Sequence, residues 1–271
     1  MKFSIVTASY NQGRFIRDCI ESVKAQTGVE WEHIIQDAGS TDETLAVLKE
    51  YPHLQVTCEK DKGMSDGINR GFLKATGDWV MWLNTDDYLL PGALAKVAAF
   101  AEKHPEADVI YGGWHFVNTN KQITKTIKVF PFDLGMMIHY GTYIGSTACF
   151  FRRATTVQQG QLLNICFKYN MDGEYFSRLG RAGKKFLYLP ELLAGFRLHE
   201  ENTSLKHLKD LSPEGVFRRQ AQFAESATIR RLYGVTLFRE PILDGIVDGL
   251  LWCLYRGKKV IAKLGHGAYF D

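Results

Sequence analysis

The feature that most constrains the fold is an alternation in the N-terminal part between short apolar runs and helix-spaced segments, with polar, often acidic residues following the runs. Phe3 to Ala8 reads as a buried strand, which Asn11-Gln12-Gly13 ends before a helix marked by Phe15, Ile16, Cys19, Ile20 and Val23. Trp31 to Ile35 is a second strand that runs into Asp37-Ala38-Gly39-Ser40-Thr41-Asp42, where Ser40 or Thr41 suits the cap of a helix containing Leu45, Val47 and Leu48. Leu54 to Cys58 and Trp79 to Leu83 supply two more strands around a helix from Ser65 to Ala75. Such βα repetition predicts a mainly parallel sheet flanked by helices, with ligands at the carboxyl ends of the strands, where Thr7, Asp37 and Asp86 fall.

Beyond Pro91 the pattern predicts a helix to about Lys103, a strand at Val109 to Tyr111, and a helix over 169–180. A short strand from Lys185 to Leu189 is expected to end at Pro190, and helix dominates 213–265. No repeat or linker marks a boundary, and a change of character near residue 205 divides the chain into 1–205 and a helical 206–271.

Bulk composition sets wide limits. A chain of 271 residues, 45% hydrophobic and 23% charged, is expected to be globular. Its 33 basic and 30 acidic side chains are interspersed, so nothing calls for a nucleic-acid partner. Five widely spaced cysteines lack a C-x-x-C pair, which favours free thiols in a reducing cytoplasm over zinc or redox chemistry. The opening Met1-Lys2 and the apolar run after it are too short for a signal peptide, so a cytoplasmic location is expected, with docking at the inner face of the membrane left open.

Three stretches carry chemistry. Asn84-Thr85-Asp86-Asp87 follows an apolar strand, and two adjacent carboxylates there need donors or a cation. Mg²⁺ or Mn²⁺ takes one or two carboxylates together with substrate phosphates; the alternative is that one of the pair caps the helix after Pro91. Asp37 is placed to accept from a base or ribose; the other reading is a turn and helix cap, which Ser40, Thr41 and Asp42 can supply without it. The Gly-rich run Asp61 to Gly71 opens a helix, where backbone amides with Lys62 or Arg70 favour an anion such as a diphosphate, and a plain surface loop is the other reading. Neither a P-loop nor a dinucleotide fingerprint occurs.

Taken in order, SIVTASYNQGRFIRDCIESV, DAGSTDET, EKDKGMSDGINRGFLKATGDWVMWLNTDD and MDGEYFSRLGRAGKKFLYLPELLAGFRLH resemble the inverting nucleotide-sugar glycosyltransferases of family two, of bacterial surface-polysaccharide or colanic-acid type, over roughly residues 2–205. The resemblance implies an α/β, GT-A-like (Rossmann-like) fold with a helical C-terminal extension. It also implies transfer of a sugar from a nucleotide-diphosphate sugar, with UDP the family's commonest carrier, to a carbohydrate or lipid-linked acceptor. By resemblance, Thr7, Ser9, Tyr10, Asp37, Lys62, Asp66, Asn69, Asn84 and Asp86 surround the donor. Asp86, Asp87 and His199 hold Mn²⁺ or Mg²⁺, although Asn84 stands where the family's metal motif begins with Asp. Asp172 resembles the catalytic base, with Glu174 as the alternative because Met171 precedes Asp172; an N-cap is its structural reading. Trp114 and His115 fall where a sugar stacks, or else in the core.

Two rivals stand beside this expectation. One is a noncatalytic nucleotide-sugar-binding or scaffold protein of the same fold. The other is a sugar nucleotidyltransferase, against which Ser4 to Arg14 lacks a Gly-rich basic loop. Over 242–264, apolar Ile246, Val247, Leu250, Leu251, Trp252, Leu254, Val260, Ile261 and Leu264 alternate with basic Arg256, Lys258, Lys259 and Lys263. That pattern suits a helix lying on an anionic membrane surface, and equally one packed on the catalytic domain or on a second copy in a homo-oligomer.

Overall fold

The computed structural model describes residues 1–200, 202, 212–234 and 241–265. The expected boundary at 205 lies outside these residues. Four parallel strands form the half of the sheet that carries the motifs: β3 (Gln55–Cys58), β2 (Glu30–Asp37), β1 (Lys2–Ser9) and β4 (Trp79–Trp82), in that spatial order. The sheet then turns mixed. β8 (Cys149–Arg152) pairs antiparallel with β4 and with β6 (Val109–Val117), β9 (Phe186–Arg197) runs parallel to β6, and β5 (Tyr88–Leu89) closes the edge on β9. The hairpin strand β7 (Ile123–Ile127) pairs with the far part of β6.

Helices α1 (Gly13–Lys24) and α3 (Met64–Lys74) cover opposite faces of β1. Successive strand residues point to opposite faces, so Thr7 reaches Cys19 of α1, at 3.7 Å, while Val6 lies under Gly71 of α3. A methyl group at Gly71 would come within 2.3 Å of Val6, so this glycine permits the close helix–strand approach. The short α2 (Thr44–Lys49) packs Val47 and Leu48 on Ile16 and Ile20 of α1, and α4 (Ala93–Lys103) buries Leu94 and Val97 in the main core.

A polar knot locks the amino end of the parallel half. Buried Glu32 accepts from Ser4 Oγ at 2.5 Å, Thr76 N at 2.7 Å and Lys2 Nζ at 3.1 Å, joining β1, β2 and the turn into β4. Burial alone pushes this carboxyl up, but the donors on Ser4, Thr76 and Lys2 outweigh it and hold the pKa down at about 2.

Two expectations are corrected here and one is made finer. The strand at 185–189 does not stop at Pro190. It continues to Arg197, because Pro190 is exposed and falls where the β6–β9 register shifts, so its missing N–H breaks no ladder bond. The C-terminal stretch is helical as expected, and forms two helices, α7 (Pro213–Tyr233) and α8 (Pro241–Gly265). Finally, Gly92 precedes α4, so neither Asp86 nor Asp87 caps it.

Candidate active site

At the carboxyl ends of β1, β2 and β4 lies a cleft of about 680 Å³. One wall is formed by the ends of β1 and β2. Asn11, with φ of 52°, accepts the Thr41 amide at 2.8 Å, and its own N–H bonds Ser40 Oγ at 2.8 Å, so the two loops are clamped together. This clamp presents Ser9, Tyr10, Gly39 and Thr41 to the cleft, with Tyr10 58% exposed. Asp37 lies beneath that wall. It is 1% exposed; one oxygen accepts the Gly39 and Ser40 amides and the other accepts Ser40 Oγ at 2.6 Å. Its role is to shape the loop whose surface is Ala38, Gly39 and Thr41.

The opposite wall follows β4. Asn84, Thr85 and Asp86 line the cleft together with His199 and Asn202. His199 Nε2 stands 2.8 Å from Asp86 Oδ2, and the Asn202 amide donates to the same oxygen at 3.0 Å. Phe15 of α1 backs the imidazole, with ring centroids 4.7 Å apart. Arg197, whose side chain is 2% exposed, braces the turn from behind. Its backbone N–H donates to Asp87 at 3.0 Å, Nε to the Asp86 carbonyl at 2.9 Å, and its remaining nitrogens to the Thr119 carbonyl and to Asp18. Asp87 is buried, accepts from Arg197 N and from the Asn84 amide at 3.1 Å, and is not among the residues lining the cleft. Burial first, and then the neighbouring Asp86 charge, push its carboxyl well above the ordinary range.

Asp86 and His199, with side chains 17% and 5% exposed, are the carboxylate and the imidazole that line the cleft side by side. No cluster of three or more His, Cys, Asp or Glu suited to a metal exists among the described residues. An oxygen and an imidazole ligand on the cleft wall nevertheless fit an ion that completes its shell with substrate phosphates and water.

The floor between the walls is the start of α3. Lys60, Asp61, Gly63 and Met64 line the cleft; Lys62 opens onto an adjoining groove of about 280 Å³ with Met64, Ile165, Phe167 and Met171. Asp66 accepts the backbone amide of Lys62 at 3.0 Å and the Arg70 guanidinium at 2.9 Å, so the Asp66–Arg70 pair is engaged in holding the helix start. Asn69 is buried and pairs both ways with the backbone of Leu163, tying α3 to the loop before α6 (Met171–Arg181).

That loop leads into Asp172, in the first turn of α6. Tyr175 and Phe176 of α6 pack on Trp82 and Phe151, and Ser65 Oγ donates to Met171 Sδ at 3.1 Å, so the first turn of α6 is held against the start of α3. Asn170 is the residue before the helix, so Asp172 is not its cap. Asp172 is partly buried, accepts the Gly173 amide at 2.8 Å and meets no cation among the described residues. Burial chiefly, with the Glu225 charge adding, raises its carboxyl above the ordinary range despite that amide. Glu174 has a different environment: fully buried, it is ion-paired with Arg178 at 2.8 Å and accepts from Tyr233 Oη at 2.6 Å. An acid tied into a cation and a phenol this way joins α6 to α7 and is poorly placed to take a proton.

Sequence reasoning overlooked three residues. Asn202 and Arg197 flank His199 closely and only the fold shows what they touch. Glu225 of α7 accepts the backbone amides of Lys168, Tyr169 and Asn170 at 2.8 to 2.9 Å, and nothing in its helix-interior surroundings marks it out. Conversely, Thr7 is buried against His33 at 3.0 Å, Trp114 packs over Gly145, and His115 bonds Thr126 at 2.9 Å, so none of these lines the cleft.

The profile of Glycosyl transferase family 2 matches residues 4–160, more than half of the chain and the portion that builds both cleft walls up to Asp86. The chain belongs to this family. Among curated relatives of this family-2 chain, a PGL/p-HBAD biosynthesis glycosyltransferase of Mycobacterium tuberculosis is 36% identical over 124 residues, covering 44% of this chain and 48% of that protein. Chondroitin synthase of Escherichia coli is 27% identical over 225 residues, 79% of this chain and 31% of the synthase. The chain thus spans half or less of the length of these relatives. Among solved structures, S. aureus TarS in complex with UDP-GlcNAc superposes with a TM-score of 0.63 at 18% identity, over 97% of this chain and 81% of that one. The mannosyltransferase PcManGT from Pyrobaculum calidifontis, in complex with GDP-Man and Mn²⁺, gives 0.56 at 13% identity over 96% and 83%. At these identities the family-2 chain shares the fold of both.

Proposed function

We propose that this family-2 chain is an inverting glycosyltransferase, moving a sugar from a nucleoside-diphosphate sugar, with UDP as carrier, to an acceptor hydroxyl in surface polysaccharide or glycolipid assembly. The observation that carries the reading is the division of labour among the acids at the cleft. Asp86 stands on the wall beside His199, whereas Asp172, next to the Met171 that lines the adjoining groove, is raised in pKa and meets no cation among the described residues. Exposed Tyr10 and the Gly39 to Thr41 loop offer a ring face and backbone polar groups to a nucleoside.

In a single displacement, the acceptor oxygen bonds the anomeric carbon as the bond from that carbon to the diphosphate breaks. The diphosphate leaves with the electron pair, and Asp172 takes the hydroxyl proton. A raised carboxylate pKa makes that transfer more favourable. Asp86 and His199 would hold Mn²⁺ or Mg²⁺, which when bound supplies positive charge against the diphosphate. The remaining work belongs to the chain: Arg197 fixes the Asp86 turn, and Glu225 fixes the backbone that leads into Asp172. The test is nucleoside-diphosphate release from a panel of nucleotide sugars, followed by NMR of the product's anomeric configuration. Inversion supports the reading; retention, or release undiminished in Asp172→Asn, overturns it.

A further inference from the structure

We infer that α8 seats this protein on an anionic lipid surface through the face it turns away from the rest of the fold. Among its described side chains, helix α8 docks through one side. Tyr255 lies against Gly135 of α5 (Leu134–His139) and stacks on His139 with centroids 5.8 Å apart; Trp252 stacks on Tyr140 at 6.0 Å, and Lys259 lies over that same ring at 4.4 Å. At 3.6 residues per turn, positions 250, 254, 257 and 261 fall within about 60° of one another, and Tyr255 and Lys259 lie roughly opposite them. The stripe so defined is Leu250, Leu254, Gly257 and Ile261, with Leu250 66%, Leu254 55% and Ile261 70% exposed; Val260 beside it is 53% exposed. Exposed aliphatic side chains aligned along three turns call for an apolar partner.

Charge selects the partner. Arg256 and Lys258 are exposed alongside the stripe, Lys258 also reaching Asp133 at 3.4 Å, the sequence adds Lys263, and the acids of α8, Asp244 and Asp248, both come before the stripe begins. A second copy packed on the same stripe would bring a second set of the same cations to one seam, since a twofold interface uses the same patch on both copies. An anionic bilayer accepts both features, aliphatic side chains below the headgroups and cations among them. No helix among the described residues is long and apolar enough to cross a membrane, so the contact is one of lying on the surface.

The test is flotation of the full-length chain with phosphatidylcholine vesicles, with and without phosphatidylglycerol, beside light scattering of the protein alone. The stripe being exposed, Leu254→Glu/Ile261→Glu leaves the core intact, and thermal unfolding unchanged from the parent checks this. The expected result is binding to the anionic vesicles that weakens in high salt and falls at least about tenfold in the double variant. Absence of flotation, equal binding to neutral vesicles, or a double variant that floats like the parent would overturn the inference. A parent dimer that becomes a monomer in the double variant, without vesicle binding, would assign the stripe to a second copy. Nucleotide binding is not involved, so this result is separate from the fate of the catalytic reading.

Discussion

His199 Nε2 and Asp86 Oδ2 lie 2.8 Å apart, joined by the fold across 113 residues of chain. The contact depends on β9 running on past Pro190 to deliver Arg197 and His199 to the end of β4. Arg197 then locks the arrangement by donating to both members of the acidic pair, to the carbonyl of Asp86 and the carboxylate of Asp87.

Loss of Arg197 should therefore be costly. Arg197→Met leaves the Asp86 and Thr119 carbonyls without that donor and the Asp18 carboxylate with Lys121 alone, and we expect a loss on the order of 3 kcal/mol in unfolding free energy, measured by urea titration. A change below about 0.5 kcal/mol, the level of an ordinary surface substitution, would show that the brace is dispensable.

Asp172 and Glu174 are separated by one variant each. Asp172→Asn should lower kcat by about 10²–10⁴-fold with donor affinity retained, as removal of a general base does. Glu174→Gln should mainly lower stability, because it leaves the partly buried Arg178 without its partner charge. Turnover lost in the Glu174 variant at unchanged melting temperature, and retained in Asp172→Asn, would reverse the assignment.

Glu225 acts on Asp172 from α7 in two ways: it holds the three amides before α6, and its charge helps to raise the Asp172 pKa. Glu225→Gln should lower kcat and also move the acidic limb of the kcat/KM profile to lower pH, since a base relieved of a like charge stays ionised further down. A purely structural role would lower activity without moving that limb.

Acid should loosen the amino end of the sheet through Glu32. Its folded pKa of about 2 lies below the ordinary 4.5, so its contribution is fully present above the ordinary value and is lost as pH falls through that window. Denaturant titrations from about pH 6 down to about pH 3 should show stability declining, with a shallower decline in Glu32→Gln. Parallel slopes in the two proteins would remove Glu32 as a cause.

Much of the parallel half was legible because each strand is an apolar run that stops at polar residues: Ser9, Asp37 and Asn84 stand at strand ends in the sequence and in the fold. Adjacency was harder to interpret. Asp86 and Asp87 look equivalent in sequence, yet one lines the cleft and the other is buried under Arg197, a difference set by a strand from the far end of the chain. Asp37 was expected at the base, but turn amides and Ser40 occupy its oxygens, a local competition that a motif does not display. Glu225 gave no signal at all, since its partners are backbone amides fifty-odd residues away. Pro190 misled because strand-ending is the ordinary meaning of proline, and a register shift suspends it here.

The most direct test of the central claim is calorimetric titration of the protein with UDP, GDP and dTDP, each with and without Mn²⁺, repeated on Asp86→Ala. The account predicts that one nucleotide, UDP first among them, binds, that Mn²⁺ strengthens the binding, and that the strengthening disappears in Asp86→Ala. If no nucleotide binds with or without the metal, the cleft is not a donor site and the glycosyl-transfer reading is contradicted.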